Sequence, residues 1–230
     1  MGKIMKLEVI YEDNHIIVVR KPANILTQGD STNDISMLEI IKNYIKVKYK
    51  KEGNVFLGLL HRLDRPVSGI MVFARTSKGA SRISDQIRRK VFKKTYYAVL
   101  LGNLEEDKGD LRDYLYKNKK ENRVYVVDKN HKDSKLAELS YEVIERKDNM
   151  TLIKIDLKTG RPHQIRVQFA SKGYPLYGDK RYAKNLNKYN DQIALFSNKI
   201  EFEHPTKKEK LEFCIKPKEV YPWNVFNKLK

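Results

Sequence analysis

The 230-residue sequence predicts an α+β fold, a mixed and largely antiparallel central sheet with flanking helices. Three observations predict it. Short alternating or β-branched runs crowd the middle of the chain and are joined by hairpin-type turns. Three helical patterns are interspersed among these runs. A regular strand–helix–strand alternation, the mark of a doubly wound sheet, is absent.

The elements follow in order. Leu7–Tyr11 and Ile16–Val19 read as strands around an Asp13-Asn14 turn, and Lys21-Pro22 ends the second. Ser36-Met37-Leu38-Glu39 is a capping-box pattern. Met37, Ile40, Ile41, Tyr44 and Ile45 then recur at helical spacing, so a helix runs to about Lys48. Val55–Leu60 and Ile70–Ala74 are apolar runs on either side of a polar segment, His61 to Gly69. A helix is expected from Ser77 to Arg89, with Ala80, Ile83 and Ile87 inward. Thr95–Leu101, Arg123–Val127, Ala137–Ile144 and Thr151–Leu157 read as strands, with a hairpin turn at Lys147-Asp148-Asn149. Lys117 to Lys120 reads as a solvated loop or an RNA contact, the loop being the plainer reading. Pro162 suits the first position of a helix that buries Ile165 and Phe169 and stops at Gly173. Ile193–Phe202 and Leu211–Ile215 are the last strands.

Composition narrows the function. Forty-seven Lys and Arg against 29 Asp and Glu give a net charge of +18, which favours a polyanion partner because neutralised phosphates release counterions. A general lysine bias gives the same excess, so charge alone does not decide. No apolar stretch approaches the roughly 20 residues that span a bilayer, and Met1 to Glu8 lacks a signal-peptide core. A soluble, cytoplasmic protein is expected. The one cysteine, Cys214, excludes an intrachain disulfide and reads as a buried packing residue. The five histidines show no metal-ligand spacing, and there is no P-loop, dinucleotide fingerprint or G-x-S-x-G elbow.

Three segments can carry chemistry. In His61-Arg62-Leu63-Asp64-Arg65-Pro66-Val67-Ser68-Gly69, local extension turns Arg62 and Asp64 to one side and Leu63 to the core. A carboxylate between two guanidinium groups stays ionised, which suits a nucleophile or an anionic base and not a proton donor. Alone, the segment reads equally as an ion-paired turn. In Lys158-Thr159-Gly160-Arg161-Pro162-His163-Gln164-Ile165-Arg166, His163 and Arg166 share a helix face, and the helix start with Arg161 offers donors to a phosphate. An ordinary amphipathic helix reads the same way. In Lys94-Thr95-Tyr96-Tyr97-Ala98-Val99, alternation sends the tyrosines to opposite faces. One is core, and the other is free to stack on an extruded base.

Taken together, these segments resemble the RluA-like pseudouridine synthases. The loop through Asp64 with Ser68-Gly69 and Phe73-Ala74-Arg75-Thr76 resembles the catalytic motif of that family, and Lys94-x-Tyr96-x-Ala98 its tyrosine motif. Thr159 to Val167 resembles its arginine motif, and Gly173-Tyr174-Pro175-Leu176-Tyr177-Gly178-Asp179 the segment that follows. Val9 to Asn14 with Lys21-Pro22-Ala23 is similar to its first hairpin. The match runs from about residue 7 to 215, with Val67 in place of a more usual threonine and Gln168 where histidine is common.

The resemblance implies a pseudouridine synthase fold, with residues 1–230 as one catalytic domain. It implies an isomerase that needs no cofactor and no metal. Asp64 is then the catalytic carboxylate, with attack at C1′, attack at C6 and removal of the C2′ proton all open. Arg166 pairs with Asp64, and Tyr96 stacks on the base. Arg62 fills the gap left by the flipped base. Arg161, His163 and Lys94 serve phosphate or supporting contacts. The expected partner is ribosomal or transfer RNA, bound by a monomer. No small S4 RNA-binding domain precedes the match here, so the catalytic domain is expected to hold the RNA itself. The rival reading is a catalytically silent RNA-binding protein on the same fold.

Overall fold

A computed structural model describes residues 7–183 and 192–229. The expectation for the extreme N-terminus, residues 1–6, lies outside them. Among the described residues are eleven strands and three α-helices, with mostly antiparallel pairing, the α+β class that the patterning predicts. No helix among them is long and apolar enough to cross a membrane. The chain divides into two compact units, Met1–Phe92 with Lys199–Ile215, and Lys93–Asn198 with Lys216–Lys230.

The first unit begins with the hairpin of β1 (Glu8–Glu12) and β2 (Ile16–Lys21). Asp13 Oδ1 accepts the N–H groups of His15 and Ile16, which makes the turn. β2 pairs antiparallel with β4 (Ser68–Ala74), and the two-residue β3 (Gly58–Leu59) pairs with β4. Ile16 to Val19 are all buried, so both faces of β2 are covered, which explains a continuous apolar run in place of alternation. Ile16, Val18, Ile70 and Val72 pack with Ile83 of α2 (Ser77–Arg88), Phe92, Ile200 and Phe202. A Cβ on Gly58 would stand 2.9 Å from that of Ala80, so glycine lets α2 lie close on β3. Of the expected Val55–Leu60 run, only Gly58–Leu59 is strand; Val55 and Leu57 are buried without strand pairing.

Helix α1 (Met37–Lys48) starts at the predicted capping box. The Ser36 hydroxyl accepts from the Glu39 N–H, and the Glu39 carboxylate accepts from the Ser36 N–H at 2.8 Å. Ser36→Ala is expected to lower unfolding free energy by about 1 kcal/mol, read from urea melts, because it leaves a buried cap unmade.

The second unit is an antiparallel ladder. β5 (Lys93–Leu101) pairs with β9 (Met150–Leu157), β9 with β8 (Lys135–Lys147), β8 with β6 (Lys108–Asn118) and β6 with β7 (Arg123–Val127). β8 and β9 are joined at Asp148-Asn149, with φ of 53° and 54°, the left-handed pair that a tight hairpin requires. β10 (Leu195–Glu203) begins in this unit, continues into the first, and pairs there with β11 (Lys210–Cys214).

Four expectations are corrected. β6 lies where no strand was expected and runs to Asn118, so Lys117 to Lys120 is only partly loop. Its row Gly109, Leu111, Asp113, Leu115 is too polar to read as an inner face. Gly109 abuts the Tyr141 ring, and Asp113 accepts from the Gln168 amide at 2.7 Å. Pro162 does not open the third helix; α3 is Gln164–Ser171, and His163 caps it at a left-handed φ of 51°. Nor does α3 have a solvated polar face. Gln164 to Phe169 are all buried; the Gln164 and Gln168 amide nitrogens and the Arg166 guanidinium donate to partners within the unit, while Gln168 Oε1 is buried without one. Finally, Cys214 is exposed, because the alternation of β11 turns Leu211 and Phe213 to the core instead. The stop at Gly173 is as expected: Tyr174 N–H donates to Phe169 O and Gly173 N–H to Ala170 O, the paired bonds of a glycine helix stop.

Candidate active site

Asp64 stands in the loop between β3 and β4, half-buried, with Leu63 buried beside it and Arg62 and Arg65 exposed. The loop is tightly braced from the segment after β2. Thr27 Oγ1 donates to Leu63 O (2.8 Å) and accepts from Leu63 N–H (3.3 Å). Asn24 N–H donates to Arg65 O, and Val67 N–H closes a turn on Asp64 O at 2.9 Å. Beneath lies Lys21, fully buried, whose ammonium donates to the carbonyls of Pro22 (3.0 Å), Arg65 (3.0 Å) and Val67 (2.7 Å). On the far side, Arg65 pairs with Asp34 at 2.7 Å and not with a loop carboxylate. His61 accepts the Val72 N–H at 3.1 Å, tying the start of the loop to β4.

Burial pushes the Lys21 ammonium down to about 7; the Asp64 charge opposes that and the Arg65 charge adds to it. An unfolded lysine titrates near 10.4. Between these values the unfolded chain binds the extra proton, so Lys21 makes stability rise with pH. The slope is at most about 1.4 kcal/mol per pH unit. Denaturant melts at pH 7 and pH 9 check the sign: the alkaline sample is expected to be the more stable.

In the second unit, Lys94 and Tyr96 alternate on one face of β5 while Tyr97 takes the other. Tyr96 is buried and Tyr97 half-buried. A Cβ on Gly160 would lie 3.1 Å from Lys94 Nζ, so the bare glycine admits the ammonium to the arginine segment. Desolvation holds Lys94 below the usual lysine range. Arg161 is exposed and its Nε donates to Leu136 O at 2.8 Å. The helix start that was expected to face a phosphate is instead closed by Gln164, whose Oε1 accepts the Arg161 N–H.

Arg166 forms a bidentate pair with Asp179, Nε to Oδ2 at 2.7 Å and Nη2 to Oδ1 at 2.8 Å. Both side chains are buried. Asp179 Oδ1 also accepts the N–H groups of Arg181 (2.9 Å) and Tyr182 (3.2 Å). Two guanidinium groups lie near the Tyr182 ring, Arg166 at 5.2 Å and Arg123 at 5.0 Å from its centre. Its hydroxyl accepts from Val124 N–H and meets His163 Nδ1 at 2.8 Å.

Arg62 and Asp64 therefore belong to the first unit, and Lys94, Tyr96, Arg161, His163 and Arg166 to the second. Sequence reasoning assigned no role to Lys21, Thr27, Asp179 or Tyr182. Lys21 and Asp179 lay inside matched segments, and that was their only signal. Among the described residues, no group of three or more His, Cys, Asp or Glu is placed to hold a metal ion.

Solved structures share this mostly antiparallel α+β fold. Human RNA pseudouridylate synthase domain containing 1 has this fold, with TM-score 0.77 at 20% identity over 96% of this chain and 87% of that one. Human RNA pseudouridylate synthase domain containing 4 has it too, with TM-score 0.76 at 18% identity over 91% and 88%. The family profile described as RNA pseudouridylate synthase matches residues 15–171, and the chain belongs to that family. Relatives include the ribosomal large subunit pseudouridine synthase C of Buchnera aphidicola subsp. Acyrthosiphon pisum, 30% identical over 88% of this chain. That of Haemophilus influenzae is 31% identical over 93%. An uncharacterized RNA pseudouridine synthase of Bacillus subtilis is 31% identical over 87%. The chain spans 65%, 66% and 65% of the length of these three relatives, respectively.

Proposed function

We propose that this chain isomerises uridine in RNA to pseudouridine, with Asp64 as the catalytic carboxylate. The observation that supports the reading is the braced Asp64 turn: a half-buried aspartate whose neighbouring backbone, at Leu63, Arg65 and Val67, is held by Lys21, Asn24 and Thr27. Rigid support of this kind is what a reacting group needs and a mere surface turn does not.

In the reaction the N1–C1′ bond breaks, the uracil turns within the site, and C5 bonds to C1′. The C5 proton is lost to solvent and N1 regains one, so nothing is oxidised or reduced. Asp64 acts on the sugar or the base at C1′, C6 or the C2′ proton. Arg166, oriented by its bidentate pair with Asp179, takes the role of the catalytic arginine. Tyr96 stacks on the base, and exposed Arg62 fills the stack that the flipped nucleotide leaves. Arg161, His163 and Lys94 serve phosphate or supporting contacts. The two units act as one catalytic domain, monomeric and cytoplasmic, and the +18 charge draws RNA to it.

The names of the relatives make large-subunit ribosomal RNA the first substrate to try and transfer RNA the second. Transcribed RNAs are incubated with the protein, and pseudouridine is mapped by carbodiimide adduct formation and primer-extension stops. A new stop at a discrete uridine is the expected result. Tight binding with no stop on either RNA would instead describe a silent RNA-binding protein.

A further inference from the structure

Lys21 has no place in the chemistry above, yet it is fully buried directly beneath the reacting loop. Its three N–H groups meet three carbonyls, two of them from residues just past Asp64. Val67, whose carbonyl it holds, also closes the turn through its own N–H, which donates to Asp64 O. A displacement there passes straight to the carboxylate.

We propose that Lys21 is a positioning residue whose charged ammonium sets the place of Asp64, so that losing this one proton slackens the turn and slows turnover. The inference rests on Asp64 being the catalytic carboxylate. A neutral amine carries two N–H groups and a lone pair, so it can satisfy at most two of the three carbonyls and sets its lone pair against the third. Lys21 is fully buried, and an unmade buried bond drives a backbone shift. The charged groups that face Lys21 are Asp64 and Arg65, with opposite effects, and burial outweighs both, bringing the ammonium to about 7. The switch therefore lies in the working range of an enzyme near neutrality.

Single-turnover rates at saturating RNA are measured from about pH 6 to about pH 8.5. The wild-type rate is expected to fall about tenfold per pH unit above about 7, with RNA affinity unchanged within about twofold. Stability rises over the same interval, so rate and stability move in opposite directions, which no loss of fold produces. Lys21→Arg, charged throughout, is expected to lose the alkaline fall. Lys21→Met is expected to be slow, about a hundredfold, at every pH. A second readout needs no turnover: in ¹³C-lysine NMR, Lys21 titrates near 7 in wild type and lower in Asp64→Asn, which removes the opposing charge. This readout carries the test if Lys21→Arg does not fold. An alkaline fall retained in Lys21→Arg, full rate in Lys21→Met, or a Lys21 that titrates with ordinary lysines would overturn the proposal. Turnover by Asp64→Asn would instead sink the parent reading and leave the NMR result standing.

Discussion

Asp64→Asn is expected to lose turnover by about 10⁴-fold or more while binding RNA as wild type does. The substitution changes one oxygen for an amide of the same shape. The bonds that build the turn are made by the backbone at Asp64, Arg65 and Val67, so they survive it. What is lost is the anionic oxygen, which each of the three routes at C1′, C6 or C2′ requires. RNA affinity comes mainly from cations along the chain, and removing one negative charge does not weaken it. Filter binding with single-turnover kinetics on one RNA separates the two effects. Reduced affinity with a normal rate would assign Asp64 to binding alone.

Asp179→Asn is expected to have the largest effect on folding. It leaves the Arg166 guanidinium, buried and bidentate in wild type, facing a neutral amide that cannot accept at both oxygens. Removing one partner of a buried pair costs about 3–5 kcal/mol, because the remaining charge has been taken from water without compensation. Two backbone N–H groups also depend on Asp179 Oδ1. Denaturant unfolding reads the loss. Turnover is expected to fall as well in the fraction that stays folded, because Arg166 is no longer aimed. An Asp179→Asn chain as stable as wild type would show that Arg166 finds another acceptor.

Features written in neighbouring residues were legible from sequence. The capping box of α1 needs only Ser36 and Glu39, three apart. The β8–β9 hairpin needs only two residues that tolerate positive φ, Asp148 and Asn149. The Asp64 loop was legible as a motif, because its polar residues interrupt two apolar runs. What escaped depends on distant partners. Lys21 reaches carbonyls 44 and 46 residues away, and nothing around it in sequence signals a buried ammonium. Arg166 looked like one residue of a solvated helix face because Asp179, 13 residues on, is invisible to periodicity. β6 was hidden for the same reason: Asp113 faces inward only because Gln168, 55 residues later, donates to it. Cys214 was misplaced by one step of strand alternation, an error of register that a short run such as Lys210–Cys214 does not resist.

The most direct test of the central claim is tritium release from RNA labelled at uridine C5, with wild type and Asp64→Asn compared on large-subunit ribosomal RNA and on transfer RNA. Pseudouridine formation must expel the C5 hydrogen, so release by wild type on one RNA pool, and none by Asp64→Asn, is the predicted result. Equal release by both proteins, or none by wild type on an RNA that it binds tightly, would contradict it.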